Sequence, residues 1–401
     1  AATVRCAQME TDYESNLLNR RSFRMFKTSH VLLTAALALS AVLPTRSNAQ
    51  TATGSAGAVF VMTNAAGQNQ IIAYARNADG SLQEGKKIPT GGRGSGGVTD
   101  PLGSQGSLTL SENHTLLFAV NAGSGTISVF HVQGANLNLL GDVPCGGSEP
   151  VAVAQQGKLV YVVNAGGASN VTGFQLGANG SLKQIANSTA FLSTGNSGAA
   201  SLSFSPDGQF LLVTEKLTNN IDAFHIQIGG TLGPIVANPS AGPGAFSVLF
   251  APNGAALVAE TGPTGGTNAS AISSYSVVAN GTLSAVSTSV PTLGAATCWL
   301  AITPNGKFVY TSNAGTGTVS GFAIGSTGAL TAISGTVVGT NPSGSSNLDL
   351  AISSDGKYLY TLNSGTGTVS IFGINQDGTL TSLGDAGGLS EDAGYNGIAA
   401  I

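Results

Sequence analysis

From residue 59 to the end of the chain, short apolar runs alternate with clusters of Gly, Asn, Asp and Ser, and within each run apolar and polar positions alternate. This two-residue period predicts half-buried β-strands. A four-part unit recurs. Its first strand ends in a polar turn, as in Leu202-Ser203-Phe204-Ser205 before Pro206-Asp207-Gly208, Leu300-Ala301-Ile302-Thr303 before Pro304-Asn305-Gly306, and Leu350-Ala351-Ile352-Ser353 before Ser354-Asp355-Gly356. Asp-Gly and Asn-Gly tolerate positive φ and so favour hairpins. A second strand follows, as in Tyr161-Val162-Val163-Asn164 or Tyr360-Thr361-Leu362-Asn363, then a Gly-rich turn and a third strand, as in Thr318-Val319-Ser320-Gly321-Phe322. A further Gly hairpin leads to a fourth strand, as at Asp79-Gly80-Ser81-Leu82 and Asp377-Gly378-Thr379-Leu380.

Four short strands repeated roughly every 45–55 residues predict a β-propeller. Second strands end at Asn64, Asn121, Asn164, Glu215, Glu260, Asn313 and Asn363, and first strands fall near 107–111, 151–155, 201–205, 247–251, 299–303, 349–353 and 397–401. Both counts give seven. The opening unit starts at its second strand, Val59-Phe60-Val61-Met62, and the chain ends on a lone first strand, Gly397-Ile398-Ala399-Ala400-Ile401. The expected fold is therefore all-β: a seven-bladed propeller of four-stranded antiparallel blades over 58–401. The C-terminal strand joins the N-terminal blade and closes the ring, which removes an exposed edge.

Composition supports this reading and excludes others. Charged residues are 8% of the 401, against about 25% in an average soluble protein, and the net charge is −4. No basic patch is available for phosphate neutralisation, so no nucleic-acid partner is expected. Apolar residues at 42% exclude a disordered chain.

The first 50 residues differ. Met25 opens a better-formed start, Lys27 supplies a positive region, 31–43 is an apolar run, and Ser47-Asn48-Ala49 places small residues before a cleavage point. Residues 25–49 are predicted to be a secretory signal peptide, too short to anchor, with 1–24 an upstream tail or mis-called start and 50–57 a linker. Export to the periplasm or the extracellular space is expected, with no membrane span after cleavage. Cys145 and Cys298 fall in blades far apart around the ring, so they are read as two small half-buried thiols rather than a disulfide.

Tyr161-Val162-Val163-Asn164 and Phe204-Ser205-Pro206-Asp207-Gly208 resemble the seven-bladed lactonase propellers, a family that includes 6-phosphogluconolactonase-like and 3-carboxymuconate-cyclase-like proteins. The resemblance covers essentially 58–401. More specific parts of it are Gly91-Gly92-Arg93-Gly94, the stretch Asp100-Pro101-Leu102-Gly103-Ser104-Gln105-Gly106-Ser107, Val213-Thr214-Glu215-Lys216, and Cys298-Trp299. It points to an exported branch and implies lactone hydrolysis or cycloisomerisation. Better-known members carry an Arg-His pair before the first strand of blade four, where this chain has Ala200-Ser201; the motif's carboxylate is matched by Glu215.

Second-to-third turns and blade connections share one face, where a funnel for a small molecule is expected. Asn at the end of a second strand caps the following turn. Glu215 and Glu260 depart from that rule, and a charge is conspicuous in a chain so poor in charge. Glu215 is the candidate general base. Glu260 and Asp100 are candidate binding residues. Arg93, in a Gly-rich connection, and Lys216 are candidate carboxylate binders. Trp299, the one tryptophan, is either the apolar floor of the funnel or a packing residue. No cofactor is expected. His114, His131 and His225 share no ligand spacing, so no zinc site is expected. Calcium stays open, with Asp100 and Asp349 as oxygen donors. Two functions compete: an exported hydrolase or isomerase of a small lactone or carboxylate-bearing ring, and a non-catalytic scaffold for a sugar, peptide or protein partner.

Overall fold

The computed structural model describes residues 56–401 except 264, 265 and 267. The expected tail and signal peptide, and nearly all of the linker, lie outside the described residues. Among the described residues there is no helix; all regular structure is β-strand.

Seven antiparallel sheets form the blades. Blade one pairs β29 (Ile398–Ala400), β1 (Gly57–Met62), β2 (Gln70–Arg76) and β3 (Lys86–Pro89). Blade two holds β4 (Leu108–Leu110) to β7 (Asn136–Pro144), and blade three runs from β8 (Ser148–Gln156) through β9 (Leu159–Gly166) and β10 (Asn170–Leu176), with β12 (Ala190–Phe191) sharing its outer edge. Blade four consists of β13 (Ala199–Phe204), β14 (Phe210–Glu215), β15 (Asn220–His225) and β16 (Val236–Pro239). Blades five, six and seven begin with β17 (Ala245–Phe250), β21 (Thr297–Ile302) and β25 (Asn347–Ile352). The expected closure is present: Val61 pairs directly with Ile398, and Val59 with Ala400.

The polar turns work by one local device. Ser205 Oγ donates to Asp207 while accepting the Phe210 N–H, and Gly208 takes φ +70°. The same bonds recur at Thr303, Asn305 and Phe308 and at Ser353, Asp355 and Tyr358. Neighbouring blades are pinned by buried tyrosines. The hydroxyls of Tyr161 and Tyr310 donate to the Gly230 and Gly378 carbonyls of the next blade's outer hairpin. Tyr360 does the same to Gly80 across the closure. The joint of the ring is therefore built like its other joints, with the Arg76–Asp355 ion pair (3.3 Å) added to it.

Five inner strands carry a one-residue bulge near the turn face, at Val151, Ala200, Phe246–Ser247, Cys298 and Asp349. A bulge twists a strand and re-aims the extra residue. Repeated around a ring, it gives the channel a collar. Cys145 is a buried free thiol, whereas Cys298 is disulfide-bonded, against the expectation of two thiols.

Candidate functional site

The connection from blade one to blade two does not pass around the rim. Asp100 to Gly106 enters the channel and bonds to the collar. Ser104 Oγ donates to the Val151 carbonyl of blade three, and the Gln105 N–H donates to Ala200 of blade four. The Gln105 amide clasps the backbone of Leu300 in blade six at both N–H and C=O, and its nitrogen also reaches Asp349 of blade seven. The Trp299 indole N–H donates to Ser104 O at 2.9 Å. Trp299 is completely buried, with its ring on Phe246 at 5.2 Å, so it pins this plug from the side. Of the two roles open for it, the geometry favours packing.

The plug divides the channel. On the side away from the turn face lies a cavity of about 390 Å³, lined by Gln105, Thr109, Ala154, Ser203, Phe250 and Ile302. On the turn-face side, Lys216 donates to the Gly103 carbonyl and lies over the Phe246 ring at 5.5 Å. Asp100 is buried within the plug, held by the Asn396 amide and the Gly103 N–H. Burial pushes its pKa up to about 7, against the pull of Lys216. Asp349 is likewise raised to about 7 by burial, although the Leu350 and Ile398 N–H groups favour its charge; the Asp100 charge raises it further.

Glu215 ends β14 and is completely buried. Its carboxylate accepts from the N–H and hydroxyl of Ser193 and from the Thr218 hydroxyl. Burial opposes its charge, but hydrogen bonds from Asp222, Ser193 and Thr218 outweigh burial and hold its pKa below the usual value. Asp222, on β15, is the partner that the sequence reading missed. No donor makes a well-formed hydrogen bond to its oxygens, although the Ser193 N–H lies close enough to favour its charge. Burial, then its hydrogen bond to the Glu215 carboxylate and the Glu215 charge, push it up to about 8. At neutral pH Asp222 therefore carries a proton and shares it with an ionised Glu215. The exposed Ser193 and half-buried Thr218 are the outer members of this chain of groups.

The other candidates are dispersed. Glu260 is buried in blade five and accepts from Ser240, Gly242 N–H, Ser273 and Ser289. It pairs with Ala245 as Glu215 pairs with Ala199, so both glutamates have the same pleat direction. Arg93 is exposed on the turn face over blades one and two, its backbone bonded to Ser124 and Gly123. Gly92 and Gly94 beside it pack so closely on Asn121 and Asn64 that a Cβ would lie 2.4 and 2.2 Å from them. Among the described residues no contact joins Arg93 to Glu215 or Lys216. The structure thus brings Lys216 to the Asp100 plug and Glu215 to Asp222, and leaves Glu260 and Arg93 apart. Asp222 had a signal in the sequence: it lies seven residues after Glu215, where blades two, six and seven carry Ser128, Ser320 and Ser370 seven residues after an Asn.

A family model described as "Lactonase, 7-bladed beta-propeller" matches residues 95–194, 155–264 and 261–387. No curated protein matches the chain. Among solved structures, the chain is similar to the periplasmic gluconolactonase of Pseudomonas aeruginosa, with 18% identity, TM-score 0.63, and 85% of this chain and 99% of that one covered. It is also similar to a candidate 6-phosphogluconolactonase of Bacteroides uniformis, at 20% identity, TM-score 0.63, and 86% and 99% covered. A protein from Lactobacillus plantarum gives 18% identity, TM-score 0.66, and 86% and 98% covered. At these identities the structural likeness is one of fold. No helix among the described residues is long and apolar enough to cross a membrane.

Proposed function

The chain belongs to the lactonase family of seven-bladed β-propellers, and from that premise we propose that it hydrolyses a small lactone or a carboxylate-bearing ring ester on the turn face of blade four. The observation that carries this reading is the sequence of groups at the end of β14: an ionised Glu215, a protonated Asp222 behind it, exposed or half-buried hydroxyls in front of it, and the Lys216 ammonium next in the chain. Two carboxyl groups with pKa values driven apart are the arrangement that acid–base chemistry needs.

In this reading water attacks the lactone carbonyl and its proton passes to Glu215 through the Ser193 or Thr218 hydroxyl. Lys216 steadies the oxyanion. The carbon–ring oxygen bond breaks, and the leaving alkoxide takes back, through the same hydroxyl, the proton that Glu215 accepted, giving the open hydroxy acid, while Asp222 keeps its own proton and holds Glu215 in place. Arg93 receives a carboxylate on the substrate from across the face. The test is a lactone panel. Glu215→Gln should lower kcat by roughly 100-fold or more, and Lys216→Met should lower kcat/KM by roughly tenfold or more. Arg93→Ala should weaken binding of a carboxylated ring measured by calorimetry. If no lactone opens faster than it does spontaneously, or if Glu215→Gln is as active as the wild type, the reading fails.

The second reading, a non-catalytic scaffold, is favoured by Ala200-Ser201 in place of the Arg-His pair and would follow from that failure. Export is part of the proposal. It rests on the charge, apolar run and small residues of 25–49, and N-terminal sequencing of the mature protein should begin near Gln50.

A further inference from the structure

We propose that the roof of the channel binds one calcium ion, held by the carboxylates of Asp100 and Asp349, the amide oxygen of Asn396 and the hydroxyl of Ser107. Three buried oxygens there meet no hydrogen-bond partner: Asp100 Oδ2, Asn396 Oδ1 and Ser107 Oγ. All three residues are at most 3% exposed. Buried polar atoms are almost always paired, and an orphaned acceptor costs its full desolvation. Asp100 Oδ2 and Asn396 Oδ1 are acceptors, so another acceptor cannot relieve them; they require a donor or a cation.

The groups are contiguous. The closing segment touches the members of the set one residue after another. Asn396 Nδ2 donates to Asp100 Oδ1 at 2.9 Å. Gly397 is so close to Ser107 that a Cβ would lie 2.6 Å from Ser107 Oγ, and its φ of +88° also excludes a side chain. The Ile398 N–H donates to Asp349 Oδ2 at 3.1 Å. Lys216 approaches Asp100 from the mouth side, through Gly103. Among the described residues one ammonium, that of Lys216, is set against two acids buried away from solvent that could screen their charge.

Ligand chemistry selects the ion. The set is all oxygen, with two carboxylates and neutral amide and hydroxyl groups, which suits a hard cation and not zinc. Among the described residues no group of three or more His, Cys, Asp or Glu gathers as a metal site. Irregular backbone and a mixed donor set tolerate calcium's flexible coordination better than the strict octahedron of magnesium. With two carboxylates only, the dissociation constant should fall on the order of 10⁻⁴–10⁻³ M, the range of weakly charged extracellular modules. Such an ion would tie the plug to the closing strand, and so tie the channel's roof to the joint of the ring.

The test uses the whole protein stripped with a calcium chelator. Titration with calcium chloride, followed by calorimetry and by thermal unfolding, should show one ion per chain and a rising Tm. Asn396→Leu and Ser107→Ala should each raise the dissociation constant roughly tenfold or more, and Asp349→Asn further still. Should Asp349→Asn fail to fold, the other two variants decide. A wild type with no saturable heat and no Tm shift overturns the proposal. So does unchanged affinity in both Asn396→Leu and Ser107→Ala, which would place the ion elsewhere, and so does magnesium binding as tightly as calcium.

Discussion

Blades six and four close the same joint with different chemistry. In blade six, Asn313 donates to Thr318 and Ser320 and accepts from Thr297, while Ser320 passes its own hydrogen to the Thr292 carbonyl. Blade two repeats this with Asn121, Thr126, Ser128 and Thr90. An amide donates and accepts, so the joint is completed by neutral groups. In blade four the Asn becomes Glu215 and the Ser becomes Asp222. A carboxylate only accepts, so Ser193 and Thr218 turn their hydrogens toward it, and the second acid must keep its proton. The same backbone register thus yields an inert staple in one blade and a proton-sharing pair in the other. Blade five is intermediate: Glu260 is completed by four donors, and Ser273 holds the place that Asp222 holds in blade four.

Removing each staple should separate the two blades most. Glu215→Leu strips the acceptor from the Ser193 N–H, two hydroxyls and the Asp222 acid. It should cost roughly 2–4 kcal/mol. Asn313→Leu orphans fewer groups, because Ser320 keeps Thr292 as its acceptor; about 1–3 kcal/mol is expected. Urea unfolding near pH 6 measures both, and equal losses would mean that the acid pair is no more than a staple.

The next effect is in pH. Asp222 stands well above its usual 3.8 in the folded state, at about 8. The native state therefore binds the extra proton between those values, and stability falls as pH rises through that window, by at most about 1.4 kcal/mol per unit. Glu215 is depressed, so its contribution is present above its usual 4.5 and is lost as pH falls through its lower folded value. Stability attributable to the pair should peak in mild acid, decline toward pH 8 and then level off. The urea midpoint followed from pH 4 to 9 tests this; a pair whose contribution rises with pH over that range would be an ordinary ionised one.

Much of this architecture was legible in one dimension because it repeats. The Ser-Pro-Asp-Gly turn, the Asn at the end of five second strands and the orphan strand at the C-terminus each name a place in a blade, and Ile398 pairs with Val61 as counting required. What does not repeat was hidden. Asp100 to Gly106 has the composition of a loop, and no local pattern announces that Gln105 will clasp Leu300 across the ring. Trp299 was placed on the correct strand, but whether its ring faced ligand or plug depended on that same crossing. Asp222 was overlooked because a polar residue inside a strand reads as an ordinary pleat position. Only aligning it with Ser128, Ser320 and Ser370 exposes the substitution. Glu260 shows the limit of reading charge alone: an unusual carboxylate in a repeat is equally a well-satisfied strut.

The smallest expected change in stability is also the sharpest comparison. Glu215→Asn combined with Asp222→Ser writes the blade-six joint into blade four. The amide can donate to the new serine and to Thr218, and can accept from Ser193, so every buried group keeps a partner and the net stability change near pH 6 should stay within about 1 kcal/mol. Asp100 and Asp349 are common to both proteins, so their titration cancels in the difference. The pH dependence assigned to the pair should vanish, and lactone opening should fall roughly 100-fold or more. Had the acids been retained for the fold, the double variant would unfold. Had they been incidental, it would keep both its pH profile and its activity. A stable, pH-insensitive and inactive propeller is the outcome in which blade four differs from its neighbours by chemistry alone.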